Sequence, residues 1–341
     1  GSRTVRRRGC GVTAADRRAL LAFAVAGILF GGTFVAAKAG LAYFPPLLFV
    51  ALRFDVAAVA LIAYAVATTP RGELLPRTWR DAAGVLATGV LAIGLTNALL
   101  FVGQGYTSSA VAAIVFSLNP ILTPIFAALL LADERLSRRG VAGMALGFLG
   151  VALVVNPDPA TLLDLGVGKA ILLGGAITGA VGSVLIRWAG GSLSSTARTA
   201  WGLPFAAGLS HLLSWWTGES ASAIVWHPEA VAALAYVGLL AGAVAYIAYF
   251  GLLDSAGAIR ANLVFYAVPV VAALGGWALL GELVSTLAVG GFVTIFAGFA
   301  VIGSESTDVR AALCRLRDRV STSTDDTSTD AMDGACGIEA D

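Results

Sequence analysis

Eight polar or proline residues interrupt the long apolar runs of this sequence, and they are its candidates for binding a solute. Asparagine and tyrosine offer uncharged hydrogen bonds, and a proline in a helix releases the backbone carbonyl four residues earlier. Because hydrocarbon offers no partners, these groups must bond within the protein or to a bound molecule. The residues are Asn97, Asn119, Pro120, Tyr246, Tyr249, Asn262, Tyr266 and Pro269.

The two prolines form the most informative pair. Pro120 and Pro269 lie near the middle of two different apolar runs, where they would release the carbonyls of Phe116 and Phe265. A carbonyl released at that depth needs water, a side chain or a solute as its donor. Helix kinking alone explains each proline equally well, and tyrosines on membrane helices often only anchor at the interface. The matched depth of the two prolines favours a functional interpretation.

Three charged residues lie in or at the end of the apolar runs. Arg53 and Asp55 are two residues apart, on different faces of a helix, so each needs a partner from another helix. Arg53 could contact the solute or form a structural ion pair. Asp55 is the one carboxylate well inside a run, and it is the candidate for proton coupling. Lys38, at the end of the first run, either reaches toward water or attracts the solute.

The sequence carries no catalytic, metal-binding or nucleotide-binding signature. The patterns HExxH, GxSxG and GxGD are absent, and so is the phosphate loop GxxxxGKS or GxxxxGKT. Cys10, Cys314 and Cys336 all lie in the two tails, and no cysteine or histidine spacing matches a metal site. We therefore expect no enzyme activity, no cofactor, no metal and no nucleic-acid partner.

The elements that must position these residues are membrane-spanning helices. Hydrophobic residues make up 58% of the 341 residues, charged residues make up 13%, and the mean hydropathy is +0.85. Apolar runs of about 20 residues, the length that crosses a bilayer as a helix, recur between short polar breaks. The sequence thus predicts an all-α integral membrane protein. Its ten predicted spans are 19–38, 45–68, 81–103, 107–131, 137–156, 166–188, 196–217, 229–253, 258–281 and 284–303.

Basic residues concentrate on one side of the predicted spans. They precede span 1 and follow spans 2, 4, 6, 8 and 10, so the positive-inside rule places both termini in the cytoplasm. Residues 1–18 form a basic N-terminal tail. Residues 304–341 form a C-terminal tail that is rich in Ser, Thr and Asp and is expected to be partly disordered. The predicted location is the cell membrane, which the chain crosses several times.

The sequence repeats itself in its two halves. At an offset of 149 residues, Pro120 aligns with Pro269, and other matches follow along the same spans. We therefore expect two five-span units, residues 19–156 and 157–303. Because five is odd, the second unit should lie inverted in the membrane relative to the first. Inverted repeats are typical of secondary transporters, whose binding site lies near the midplane between the halves.

A series of short motifs resembles one transporter family over residues 19–303. The motifs are Phe30-Gly-Gly-Thr-Phe-Val-Ala-Ala-Lys38, Pro45-Pro46, Leu52-Arg53-Phe54, Asn119-Pro120, Ala132-Asp-Glu134 and Gly281-Glu282. In order and type they are similar to EamA-type repeats of the drug/metabolite transporter (DMT) superfamily, although a tryptophan is common where Phe30 stands. The resemblance implies a ten-helix inverted-repeat carrier, often an exporter of amino acids or other metabolites. It also implies that Glu134 and Glu282 are structural residues at helix ends.

We therefore expect a secondary transporter that moves a small metabolite, amino-acid-like or otherwise polar or amphipathic, across the cytoplasmic membrane by alternating access. Export is the expected direction. The alternatives are an uptake or exchange carrier, and a membrane receptor or structural protein that transports nothing. The expected partners are the solute, the lipid bilayer and either a coupling proton or an exchanged solute. Asn97, Asn119, Tyr246 and Tyr266 should line one pocket, because inverted repeats place equivalent elements around a shared axis.

The predicted topology can be tested by cysteine labelling in sealed cells. An impermeant maleimide should label a cysteine introduced at Thr161, because the 157–165 loop is predicted to face outside. The native Cys10 and Cys314 should react only after the membrane is permeabilised. Labelling of either native cysteine in intact cells would contradict the predicted orientation.

Overall fold

The computed structural model describes residues 14–131, 138–155, 166–256, 264–283, 285–287, 289–298 and 300–301. Every regular element within these ranges is a helix, as the sequence predicts. Asn262, Glu134, the 157–165 loop and the tail residues before 14 and after 301 lie outside the described residues. Pro120 and Tyr266 are placed by their backbone alone.

Helices joined by short turns make up the first half of the chain. They are α1 (Ala14–Gly40), α2 (Pro46–Thr68), the short α3 (Arg71–Leu74), α4 (Trp79–Leu86), α5 (Thr96–Gln104), α6 (Ser109–Phe116), α7 (Asn119–Leu130) and α8 (Arg138–Val155). Hydroxyl groups cap two of the helix starts, since Thr78 and Ser108 accept the N–H groups of Asp81 and Val111. These caps fix where α4 and α6 begin.

The second half is built in the same way. Its helices are α9 (Val167–Ala189), α10 (Ser195–Trp216), α11 (Pro228–Ala235), α12 (Ala245–Ala256), α13 (Val264–Leu280) and a last helix at Val289–Gly298. Gly190 and Gly281 follow α9 and α13 with φ angles of 58° and 64°. Residues with a Cβ atom rarely adopt this left-handed conformation, so glycine allows both helices to end in a sharp turn.

Six stretches are long and apolar enough to cross a membrane, judged by length and composition. They are Arg18–Gly40, Pro46–Thr68, Trp79–Gln104, Ser109–Leu130, Val167–Ala189 and Pro228–Tyr249. Two apolar helices are shorter, Ala267–Leu280 and Val289–Gly298. The structure therefore has a multi-helix apolar bundle, and the crossing of all ten predicted spans stays a prediction.

Two of the long stretches contain a π-helical segment, whose hydrogen-bonded turns are one residue wider than those of an α-helix. The segments are Ala87–Leu95, between α4 and α5, and Tyr236–Val244, between α11 and α12. Their first residues are 149 positions apart, and so are their last residues. This is the offset of the sequence repeat. Since π segments are rare and occur mainly at functional sites, the residues that follow them are candidates for function.

Each π segment approaches the backbone of a helix from the other half of the chain. A Cβ atom on Gly89 would lie 2.3 Å from the carbonyl oxygen of Gly202 in α10, and one on Gly238 would lie 3.2 Å from the carbonyl oxygen of Arg53 in α2. The first segment also contacts α9, and the second also contacts α1. Glycine at these positions therefore allows helices from the two halves to approach as closely as small residues permit between membrane helices.

Large apolar side chains of α2, α5 and α10 fill the centre of the bundle. Phe49, Phe54, Phe101 and Leu203 are fully buried there. Many large apolar side chains are instead exposed on the outside of the helices, among them Trp277. Exposed apolar side chains of this kind would be costly in water and suit contact with lipid.

Gly89 provides a test of the close approach between the halves. We expect Gly89→Ala to destabilise the protein by about 1–3 kcal/mol, because the new Cβ must displace the backbone of Gly202. Gly208→Ala in α10 is the matched control, since a Cβ there meets no atom within 4 Å. Thermal unfolding in detergent, followed by size-exclusion chromatography, measures both variants. Equal melting temperatures would show that this contact contributes no stability.

Candidate functional site

Arg53 brings a positive charge into the core of the bundle. It projects from α2, its exposed fraction is 3%, and its Nη1 donates a hydrogen bond of 3.3 Å to Oδ1 of Asn97 in α5. Its guanidinium carbon lies 4.8 Å from the ring centre of Phe54 and 5.2 Å from that of Phe101. These distances allow cation–π attraction, which offsets part of the cost of burying the charge.

Asn97 is positioned by the first π segment. Its side-chain nitrogen donates a hydrogen bond of 2.8 Å to the carbonyl of Ile93, within that segment. Its side-chain oxygen is thereby directed to Arg53. One amide group thus links a backbone carbonyl of the π segment to the buried cation, and it fixes the direction from which Arg53 is held.

Aromatic side chains form a second group. Tyr246 lies in the first turn of α12, directly after the second π segment. The ring of Phe30 in α1 meets Tyr246 edge-on at 5.2 Å, meets Tyr249 at 6.1 Å and stacks on Phe265 at 6.0 Å. Two predicted site residues, Tyr246 and Tyr249, therefore lie together with Phe30, which stands where the family motif commonly has a tryptophan.

A separate polar group lies against α9. The hydroxyls of Thr96 and Thr178 are 3.1 Å apart, and the Asn119 side-chain oxygen accepts a hydrogen bond of 3.3 Å from Thr123. A Cβ atom on Gly179 would lie 2.3 Å from the side-chain nitrogen of Asn119, so that amide packs on the backbone of α9. Asn119 is thus held by α7 and α9, and Thr96, the neighbour of Asn97 in sequence, connects this group to the buried arginine.

Lys38 and Glu282 lie at one end of the bundle, which we call the Lys38 end. Lys38 Nζ donates a hydrogen bond of 2.9 Å to the carbonyl of Gln104. The Gln104 side-chain nitrogen and the Ser109 hydroxyl both donate to the carbonyl of Phe34. Glu282 accepts hydrogen bonds of 3.1 and 3.0 Å from the Ser109 N–H, the first of α6. A carboxylate at a helix N-terminus is favoured by the helix dipole, so these contacts close this end around α1, α5, α6 and α13.

Asp55 lies on a different face of α2 from Arg53. Its Oδ2 is 2.8 Å from Nε2 of His211 in α10, and the side chains of His211 and Asp55 are 44% and 48% exposed. The pair therefore bridges α2 and α10 at the outer surface of the bundle. This position separates Asp55 from the group around Arg53.

The two prolines have different local settings. The chain leaves the helix between α6 and α7, and Pro120 occupies the first turn of α7, where its missing N–H breaks no helical hydrogen bond. Pro269 lies inside α13 and is buried. Pro120 therefore lies at the start of a helix, whereas Pro269 lies in a helix interior, the setting that the sequence predicts for both.

Two further carboxylates that the sequence analysis did not single out hold helix ends. Glu219 accepts hydrogen bonds from the N–H groups of Leu47 and Leu48 at the start of α2, at 3.1 and 2.7 Å. Asp81 accepts a bond of 2.7 Å from the N–H of Ser192 and also completes a capping box with Thr78. The Thr-x-x-Asp spacing was a readable signal for the second. Glu219 is remote in sequence from the helix it caps and gave no such signal.

The profile of the EamA-like transporter family matches the chain twice, at residues 17–156 and 167–304. A solved crystal structure has a TM-score of 0.59 at 21% identity, and the match covers 85% of this chain and 98% of that one. At this identity the likeness shows a shared fold.

Relatives in other organisms point the same way. An uncharacterized transporter of Bacillus subtilis, YvbV, is 25% identical over 300 residues, which cover 88% of this chain and 95% of the relative. An uncharacterized transporter of Archaeoglobus fulgidus is 26% identical over 80% of this chain and 94% of its own length. The uncharacterized inner membrane transporter YedA of Escherichia coli is 28% identical over 76% and 82%. With a family profile that matches both of its halves, this chain belongs to the EamA-like transporter family, a group of multi-pass membrane transporters within the DMT superfamily.

Proposed function

We propose that this protein is a secondary transporter that exports a small metabolite across the cytoplasmic membrane by alternating access. The observation that carries the proposal is that Asn97, which holds the buried Arg53, and Tyr246, which lies in an aromatic cluster, occupy equivalent positions in the two halves. Asn97 and Tyr246 are 149 residues apart and each follows a π segment, so both halves contribute to one site at equivalent positions. A site shared in this way is what a carrier built from two repeats requires.

The packing of the helices supports an inverted repeat as the basis of this carrier. α9 contacts the first π segment, α5, α6 and α7, and α1 makes the equivalent contacts with the second π segment, α12 and α13. The domains we propose are the two five-span units, residues 19–156 and 157–303, flanked by cytoplasmic tails. In each unit the first span packs on the third and fourth spans of the other. Two near-equivalent halves supply the two states of similar energy that alternating access needs.

The Lys38 end is the part of the bundle that we propose to open for release. The positive-inside rule predicts a cytoplasmic N-terminus, so α1, the first span, should end on the outer side of the membrane. The Lys38 end would therefore face outward. Its closure depends on a few hydrogen bonds between backbone groups and the side chains of Lys38, Gln104 and Glu282. Individual bonds of this kind contribute about 1 kcal/mol each, so thermal motion and bound solute can shift the balance between closed and open forms.

Reconstitution into proteoliposomes tests this function. Vesicles containing the purified chain should show saturable counterflow with a member of a panel of labelled amino acids, sugars and nucleosides, whereas empty vesicles should not. Net flux is measured without solute on the far side, and exchange is measured with solute there. The comparison of the two separates an exporter from an uptake or exchange carrier. Saturable binding without any flux would instead favour the alternative of a membrane receptor.

Substitution of the paired positions should weaken transport. We expect Asn97→Ala and Tyr246→Phe to reduce solute affinity about five- to a hundredfold, because each removes a half-buried hydrogen-bonding group, at a cost of about 1–3 kcal/mol if that group binds the solute. Tyr64→Phe, on the exposed face of α2, is the matched control and should transport normally. Counterflow with expression-matched protein measures all three. Normal transport by both site variants would remove them from the solute site and leave the transporter assignment intact.

Proton coupling through Asp55 is a separate proposal. Asp55→Asn should abolish flux driven by a pH gradient while solute exchange persists, and His211→Gln should do the same if the pair of 2.8 Å acts as a unit. His227→Gln is the matched control, because His227 contacts Glu229 in an exposed pair on the loop before α11. pH-driven flux that survives Asp55→Asn would exclude this carboxylate from coupling.

A further inference from the structure

The charge of Arg53 has no carboxylate partner among the residues that the structure describes. A guanidinium stays protonated at any physiological pH, so burial cannot neutralise it. Asp55, two residues further on, is 2.8 Å from His211 on another face of α2. Within the described ranges, Arg53 Nε is buried and has no hydrogen-bond partner. A buried, uncompensated charge is costly, and in membrane spans such residues usually mark a binding or conduction path.

The unpartnered Nε belongs to a defined edge of the guanidinium. Asn97 takes Nη1, whereas the Nε–H bond points to the same side as Nη2. This side edge, with two parallel N–H groups, is the arrangement that binds the two oxygens of a carboxylate. The rings of Phe54 and Phe101 offset part of the charge but accept no hydrogen bond of this strength.

We propose that Arg53 binds the carboxylate of the transported solute, and that the solute is a small monocarboxylate with an apolar or aromatic group. This inference rests on the proposed transport function. One guanidinium matches one negative charge, and Lys38, the other cation among the predicted site residues, is engaged with the Gln104 carbonyl at the Lys38 end. A phosphate ester or a dicarboxylate would bring a second charge without a partner.

The aromatic group supplies the other half of the recognition. The rings of Phe54 and Phe101 lie 4.8 and 5.2 Å from the guanidinium carbon of Arg53. Phe30, Tyr246, Tyr249 and Phe265 form a further cluster with ring separations of 5.2 to 6.1 Å. An apolar or aromatic group attached to the carboxylate would therefore lie against rings. A small, strongly hydrated anion has no apolar surface to pack against these rings, so they would not favour its binding.

A binding measurement on the full chain in detergent tests the assignment with three probes that share a phenethyl group. They are 3-phenylpropionate, its neutral amide 3-phenylpropanamide, and phenethyl phosphate, which carries the second charge. We expect 3-phenylpropionate to raise the melting temperature in a concentration-dependent manner, and we expect the amide and the phosphate to have no effect at the same concentrations. Equal stabilisation by the amide, or none by 3-phenylpropionate, would overturn the proposal.

Variants locate the effect at one arginine. Arg53→Gln should weaken the binding of 3-phenylpropionate at least about thirtyfold, because it removes one partner of a buried charge pair. Arg198→Gln is the matched control: the Arg198 Nε also lacks a partner, but that side chain lies in the first turn of α10 and donates to Ser195. Unchanged binding by Arg53→Gln, or an equal loss in both variants, would overturn the assignment to Arg53.

Two further experiments distinguish a failure of this proposal from two other causes, which are a folding defect of Arg53→Gln and a failure of the proposed transport function. If Arg53→Gln does not fold, Arg53→Lys serves instead; it keeps the charge but lacks the side edge, so it should bind the carboxylate weakly and still prefer it to the amide. Loss of that preference would count against the proposal. Counterflow of a neutral solute that is undiminished in Arg53→Gln would likewise contradict it while the transporter function stood. Carboxylate binding without any flux would support the site and count against the transporter.

Discussion

A helix in hydrocarbon must satisfy its backbone N–H and C=O groups within the protein, because lipid offers no hydrogen bonds. The chain departs from the regular α-helical pattern at two equivalent places, Ala87–Leu95 and Tyr236–Val244. In the first segment, the two side chains that follow it supply hydrogen-bond donors to its carbonyls. Thr96 and Asn97 each donate a 2.8 Å hydrogen bond to a carbonyl of the segment. Asn97 is thereby held with its oxygen toward Arg53. The demand for backbone hydrogen bonds therefore decides where the polar site lies.

The two halves place different chemistry on equivalent backbone. The first half contributes an amide after its π segment, and the second half contributes Tyr246 and Tyr249. The glycines of both segments, Gly89 and Gly238, retain the close backbone contact that such a scaffold needs. A symmetric scaffold can therefore change its state as two similar halves, while an asymmetric site holds a solute in one orientation.

The helical fold and the family could be predicted from the sequence, because apolar runs of span length and the order of short motifs are local properties. Side-chain direction was harder to predict. Sequence spacing places Arg53 and Asp55 on different faces of α2, but which face meets the core depends on the packing of α10, which supplies His211. The π segments gave no signal either, since ATGVLAIGL and YVGLLAGAV are ordinary apolar helix sequences. The break before Asn119 likewise depends on how α6 and α7 pack on α9, which Pro120 alone does not reveal.

We propose that the bundle must open at the Lys38 end to release its solute, and a reversible cross-link between α6 and α13 tests whether it does. A Cβ atom on Gly276 would lie 3.6 Å from Cβ of Ser109, within the range for a disulfide between α13 and α6. In a chain whose tail cysteines are replaced by serine, oxidation of a Gly276→Cys, Ser109→Cys pair should stop counterflow, and reduction should restore it. A Cβ atom on Gly276 also meets the Glu282 carboxylate, so each single cysteine variant is compared with itself: its counterflow should be the same under oxidation and under reduction. Full cross-linking with undiminished counterflow would show that release does not require this end to open.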